Sequence, residues 1–395
     1  MNKKIFFLCH SMNVGGVEKA LLSLLSIIPF DQYEVHLGLL HKKGGFLDDV
    51  PQQVYVHEIP CYDKYWDLIN DPPLTNIKKM IKVGHLLEAF VHLLLYIQFK
   101  ITSNRYWFYR YIMRHESKFP IAFDMAVSFA GPSQMMDYYV CKLVDAPIKV
   151  GWIHFDISKF GIDKGMTVQL YKQYQRIFVV SKTGKEIFDR IFPMFMDKTE
   201  VFHNIVPSKQ VHNLADVGET FCDSFDGKRI LTVGRISPEK GQREAIKAFK
   251  FICDKYSDIR WYFIGEGKDM ENCKDDAERM GITDKVIFLG TKTNPYAFMR
   301  DCDIYMQPSR HEGFCITLAE ALCFSNPIVS TDFTGAREQL KERKNSIVVG
   351  MEPEDIAKGV EVALQLPQSS DNCKEDSSSI QLMRLLSLFQ RETKE

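Results

Sequence analysis

No two cysteines in this chain are spaced C-x-x-C, although ten are present, at 9, 61, 141, 222, 253, 273, 302, 315, 323 and 373. That pattern fits neither a disulfide framework nor a zinc ribbon, and the expectation is reduced, mostly buried thiols in a cytosolic protein. An excess of one charge is missing too. The formal net charge of −1 leaves no global basic field, and nucleic acid is not expected as a partner. Long hydrophobic runs are also absent. The N-terminal IFFLC holds five apolar residues before His10 and Ser11, shorter than a secretory h-region, and reads as a buried strand. The stretch LLEAFVHLLLYIQF (86–99) is interrupted by Glu88, His92 and Gln98. It falls short of the roughly 18 to 20 apolar residues that span a bilayer. The Walker spacing is absent, and NVGGV and IGEGKDM both fail G-x-G-x-x-G, so a dinucleotide oxidoreductase is a poor match.

The chain does contain two series of alternating strands and helices. With 395 residues, 45% hydrophobic and 26% charged, it is long enough for two soluble domains. KKIFFLCH, YEVHLGLL, MAVSFA, IKVGWIH, RIFVVS and VFHNI read as strands of a first series, and the segment 17–28 has apolar residues at helical spacing. RILTVGRI, RWYFIG, KVIFLG, IYMQPS, PIVST and NSIVVG form a second. The expected fold is α/β with two Rossmann-like, doubly wound domains facing a central cleft. The boundaries expected are 1–206, a polar linker over 207–228, and 229–366. A spacer and a short amphipathic helix over 367–395 would follow, with the helix able to dock back on the first domain.

Candidate chemistry gathers at the turns after strands. VGRISPEKG (233–241) places Arg235 and Lys240 between a strand and a helix, a plausible diphosphate cradle or a loop of solvated charges. Gly15 and Gly16 let the backbone approach a bound group, or simply make a tight turn. His154 ends a strand and either faces the cleft or is a satisfied structural histidine. Asp301 and Asp303 have a D-x-D spacing, but solvated or capping carboxylates are the stronger reading there. Glu312 and Glu320 stand eight positions apart in RHEGFCITLAEAL. Along a continuous helix that is about 12 Å, too far for a shared-proton dyad. The helix is expected to begin near Ile316 to Leu318, placing free N–H groups between the two acids.

EGFCITLAEAL with PIVSTDFTGAREQL, preceded by VGRISPEKG and a G-G turn, resembles the retaining GT-B glycosyltransferases of family four, especially bacterial capsular, exopolysaccharide and O-antigen enzymes. The resemblance implies a nucleotide-sugar donor, UDP-linked by expectation, and a sugar or lipid-linked oligosaccharide acceptor held by the first domain. It implies transfer with retention and without metal or other cofactor. By the same resemblance Glu320 meets the ribose and Glu312 the donor sugar, with Gly313 and the backbone of Phe314, Cys315 and Ile316 around sugar and phosphate. Arg235 and Lys240 hold the diphosphate, Gly15 and Gly16 close over it, and His154 stands beside the sugar. Thr291 and Lys292 fall in the base-binding stretch. Many members have glycine where Cys315 stands, so the donor sugar does not carry over. A non-catalytic GT-B partner subunit and a nucleotide-sugar isomerase are the competing readings.

Region 77–118 has eight Lys/Arg against Glu88 and Glu116, a surplus of six, interleaved with the aromatics of NRYWFYRYIM. It reads either as a surface resting on anionic lipid, which would make the protein peripheral on the inner face of the plasma membrane, or as a helical hairpin with solvated charges.

Overall fold

The computed structural model describes residues 2–159, 161–369 and 378–391, and they form two units. The first takes in 1–180, 185–202 and 382–395; the second takes in 181–184 and 203–381. Seven strands build the first sheet: β1 (Lys3–Cys9), β2 (Tyr33–Leu39), β3 (Tyr55–Glu58), β4 (Met125–Gly131), β5 (Ile148–Ile153), β6 (Arg176–Val179) and β7 (Thr199–Val201). Their order is β3-β2-β1-β4-β5-β6-β7, all parallel. Ile5 to Leu8 are fully buried because helices cover both faces of such a sheet, which is why these strands read as continuous apolar runs.

The second sheet has six parallel strands: β8 (Lys228–Val233), β9 (Ile259–Ile264), β10 (Val286–Phe288), β11 (Ile304–Gln307), β12 (Ile328–Thr331) and β13 (Ser346–Val349). They run in the order β10-β9-β8-β11-β12-β13. Ile230, Trp261 and Phe263 of its strands pack on Ile246 and Phe249 of the helix Gln242–Cys253. Trp261 satisfies its indole N–H by donating to Thr232 Oγ1 at 3.0 Å. In each sheet the strand order reverses once, between β1 and β4 and between β8 and β11. Ligands of open α/β sheets gather at the carboxyl ends of such switch points.

Three segments differ from the sequence expectation or extend it. The stretch 207–228, expected as a linker, contains a helix, Ser208–Val217, with Val211 and Ala215 buried. Asp223 then pins the stretch to the second unit through Arg229, Arg260 and the Tyr262 hydroxyl. β3 was not anticipated, because YVHE is half exposed and has no apolar run. At the other end of the chain, Phe389 stacks on Tyr33 at 5.6 Å and Arg384 donates to the Val201 carbonyl at 3.0 Å, both within the first unit. Most of the expected spacer, 370–377, lies outside the described residues.

Two local features lead to measurable outcomes. Asp137 is buried in the first unit, where it accepts from Ser128 Oγ and the Tyr174 hydroxyl, each at 2.7 Å. Burial, only partly offset by these hydrogen bonds, raises its pKa from 3.8 to about 6. A raised folded-state value gives stability that is full below pH 3.8 and fades as pH rises through 6. The contribution is on the order of 3 kcal/mol. Denaturant titrations of Asp137→Asn should therefore show a shallower fall in stability between pH 4 and 7 than the wild type. Gly241, at φ +71°, closes the turn after β8, and a Cβ there would lie 2.0 Å from the Pro308 carbonyl oxygen beyond β11. Gly241→Ala should cost about 3 kcal/mol or more. Gly281→Ala, with φ +64° but open space around it, should cost only about 1 to 2 kcal/mol. Thermal melts of the two variants check the contrast.

Candidate functional site

The loops leaving β8 and β11 meet at the switch point of the second sheet. The backbone N–H groups of Arg310 and His311 donate to the Glu239 carbonyl at 2.9 and 3.3 Å, tying the loops together. Lys240 Nζ reaches Glu312 Oε1 at 2.5 Å, with side chains only 20% and 10% exposed. Burial would lower the Lys240 pKa, but the adjacent Glu312 carboxylate more than compensates and holds it above the ordinary lysine value. Lys240 is thus a fixed cation at neutral pH.

A chain of buried polar groups orients the carboxylate from below. Ser309 Oγ donates to Glu312 Oε1 at 2.8 Å, and Gln307 Nε2 donates to Ser309 Oγ at 2.8 Å. The Tyr305 hydroxyl and Thr317 Oγ1 donate to Gln307 Oε1 at 2.8 and 3.2 Å. Sequence reasoning missed Ser309, Gln307 and Thr317. The available signal was a glutamine, 1% exposed, ending the otherwise apolar strand IYMQ. Arg235, by contrast, is 69% exposed and stands 3.9 Å from Glu239, so its guanidinium is open to solvent.

The helix after this loop is Ile316–Ala321, starting where the spacing placed it. Cys315 caps it at φ 56°, ψ 82°, a left-handed conformation otherwise taken among non-glycine described residues only by Ser103. Its thiol is buried 3.4 Å from Thr317 Oγ1, and burial followed by the Glu312 charge raises its pKa. Gly313 lies in the same loop, and the Phe314 carbonyl accepts a hydrogen bond from Gln339. Glu320 is buried and accepts from the Tyr296 hydroxyl at 2.6 Å. Tyr296 is a further residue the sequence did not single out. Lys292, next to Thr291, pairs with Glu219 at 2.8 Å. Asp303 pairs with Lys228 and the Arg229 N–H, and Asp301 with Arg300, so both D-x-D acids have structural partners.

In the first unit, Gly15 is the extended N-cap of the helix Gly16–Leu25, with the Glu18 carboxylate beside it. His154 follows β5 but is buried, with the Phe129 ring 4.5 Å away, and neither ring nitrogen has a partner among the described residues. Burial pushes its pKa down to about 3, so the imidazole is neutral. An aromatic cluster that sequence reasoning missed lies at the carboxyl ends of β1 and β2. His10 and His41 have ring centroids 5.2 Å apart, and Tyr62 packs on both. The Trp66 ring, 42% exposed, packs 5.6 Å from His41.

Residues 224–379 match the family model for glycosyl transferases group 1. An uncharacterised glycosyltransferase of Methanocaldococcus jannaschii is 28% identical over 177 residues, 43% of either chain. An N-acetylgalactosamine-N,N'-diacetylbacillosaminyl-diphospho-undecaprenol 4-alpha-N-acetylgalactosaminyltransferase of Campylobacter jejuni is 24% identical over 89% of this chain and 87% of its own. Among solved structures, Anabaena HepE in complex with UDP and glucose superposes with a TM-score of 0.67 at 17% identity, covering 100% of this chain and 99% of that one. The chain thus has the GT-B fold, two parallel-sheet α/β units, and it is within the second of them that the sequence matches the model for glycosyl transferases group 1.

Proposed function

We propose that this protein is a retaining glycosyltransferase of family four that moves a hexose-type sugar from a nucleotide-sugar, a UDP-sugar in this reading, to a hydroxyl of a lipid-linked or oligosaccharide acceptor in bacterial surface polysaccharide synthesis. The observation that carries it is the buried Lys240–Glu312 pair at the switch point of the second sheet. The exposed Arg235 lies on one side of it in sequence, and Glu320 lies on the short helix that follows. A diphosphate laid along this edge meets one buried and one solvent-exposed cation. Glu312 then serves the donor sugar and Glu320, oriented by Tyr296, the ribose. Glycine backbone at 313 and the N–H groups of 314–316 complete the surroundings, with Thr291 and Lys292 toward the base.

In this reading the bond from the anomeric carbon to the diphosphate oxygen breaks, and the acceptor oxygen bonds on the same face. The acceptor's proton passes to the departing phosphate oxygen, so configuration is kept and nucleoside diphosphate leaves with the electron pair. Arg235 and Lys240 stabilise the charge that grows on that oxygen, and no metal is invoked. On the first unit, neutral His154 offers a hydrogen bond but no charge. The exposed Trp66 face with His10 offers an acceptor sugar a stacking surface and a polar group. The Campylobacter relative, whose name specifies a diphospho-undecaprenol-linked acceptor, supports a lipid-linked acceptor here. The UDP and glucose held by HepE support the donor class. An anionic membrane surface over 77–118 and a cytoplasmic, peripheral location belong to the same proposal.

Nucleoside-diphosphate release from a panel of UDP-sugars, with and without lipid-linked acceptors, tests the reading. Glu312→Ala and Glu312→Gln should each lower turnover by roughly 100-fold or more, the glutamine keeping an acceptor for Ser309 and so separating charge from packing. Near-normal transfer by both variants would remove Glu312 from the chemistry. Added chelator should leave the rate unchanged; abolished activity would overturn the metal-free mechanism.

A further inference from the structure

The helix Leu86–Thr102 turns an apolar stripe to solvent along most of its length. Leu86, Leu87, Phe90, Leu94, Ile97 and Ile101 are between 45% and 78% exposed. At 100° per residue these six fall within an arc of about 100°, and they extend about 22 Å along the axis. The helix is nonetheless seated. Ala89 and His92 are buried, and the His92 ring packs against Phe108 and Tyr111 at 5.8 and 5.6 Å. The helix Pro73–Val83 runs alongside it. The stripe is therefore the outward face of a docked helix. An exposed apolar face this long marks a binding surface.

Cations on this helix and on the two helices that contact it, Pro73–Val83 and Tyr106–Ile112, select its occupant. Lys78, Lys82, Lys100 and Arg110 are exposed, with the Arg110 guanidinium 5.1 Å from the centre of the Trp107 ring. The acids of the region are engaged: Glu88 lies 3.4 Å from His85, and Glu116 takes Lys64 and the Tyr65 hydroxyl. A second copy of the chain would bring this cationic rim against its own likeness, whereas an anionic bilayer complements it. No helix among the described residues is long and apolar enough to cross a membrane. Such a helix lies in the plane of the interface, its stripe at the boundary of headgroups and acyl chains.

We infer that the helix Leu86–Thr102 is an in-plane anchor whose apolar stripe inserts into an anionic lipid surface while Lys78, Lys82, Lys100 and Arg110 engage lipid phosphates. This deepens the transferase reading, on which it rests only for what the surface delivers, a lipid-linked acceptor. Insertion itself is a property of the stripe and its rim. Apolar burial holds the helix, and the cations set the preference for anionic lipid.

Flotation with vesicles of phosphatidylglycerol and phosphatidylethanolamine, free of any saccharide lipid, tests the anchor separately from the transferase activity. The full chain should float with these vesicles and not with phosphatidylcholine alone. Leu87→Asp/Ile101→Asp, at positions 77% and 78% exposed, should lower the partition coefficient by at least about 10-fold. Its melting temperature, followed by circular dichroism, should be unchanged. Lys78→Gln/Lys82→Gln should lower it roughly fivefold per charge. Failure to float with the anionic vesicles would overturn the proposal. So would binding that the aspartate pair leaves intact and about 0.5 M salt abolishes, since that is adsorption by charge alone. A concentration-dependent dimer that the aspartate pair dissolves, seen without vesicle binding, would assign the stripe to a second copy and also overturn it.

Discussion

Lys240 and Glu312 leave neighbouring parallel strands on separate loops, and taking this pair out of water commits both loops to one arrangement. A buried cation without its partner is costly, on the order of 3 to 5 kcal/mol. The turn after β8 and the loop after β11 therefore cannot move independently. The hydrogen bonds to the Glu239 carbonyl and the close approach of Gly241 to Pro308 hold the same two loops from the backbone side. From this junction the polar chain runs through Ser309 and Gln307 to Tyr305, and the helix Ile316–Ala321 sets out past Cys315. The candidate chemistry of the second unit thus depends on one desolvated ion pair at a switch point.

The carboxyl edges of the two sheets are built from different materials. The second is charged and hydrogen-bonded, suited to phosphate and hydroxyl groups. In the first, His10, His41, Tyr62 and Trp66 form an aromatic surface beside β1 and β2, and His154 is buried as a neutral ring. The outward stripe of the helix Leu86–Thr102 belongs to this same unit. One unit holds fixed charge, and the other presents aromatic and apolar faces.

Much of this was legible in the linear chain, for identifiable reasons. Strands buried on both faces cannot hide: KKIFFLC, IKVGWI and RWYFI were plain because parallel sheets demand continuous apolar runs. The start of the helix, expected near Ile316 to Leu318 and found at Ile316, followed from the loop residues before it. β3 stayed invisible because a half-exposed edge strand such as YVHE has no apolar alternation. The helix Ser208–Val217 was hidden because only Val211 and Ala215 are buried in an otherwise polar segment. Partnerships were the least legible. Tyr296 lies 24 positions from Glu320 and Lys240 lies 72 from Glu312, and no local pattern encodes such pairings.

The sequence by itself determined the two alternating series, the parallel sheets they form, and the placement of Arg235, Lys240 and Glu312 at turns after strands and of Glu320 in the helix that follows, since these follow from local periodicity and turn chemistry. Only the tertiary structure decided which of those groups are neutralised and which are exposed. It joined Lys240 to Glu312, left Arg235 in solvent, buried His154 and turned the apolar face of Leu86–Thr102 outward. Burial and pairing are properties of surfaces meeting across long stretches of chain, and they exist only once the sheets are covered.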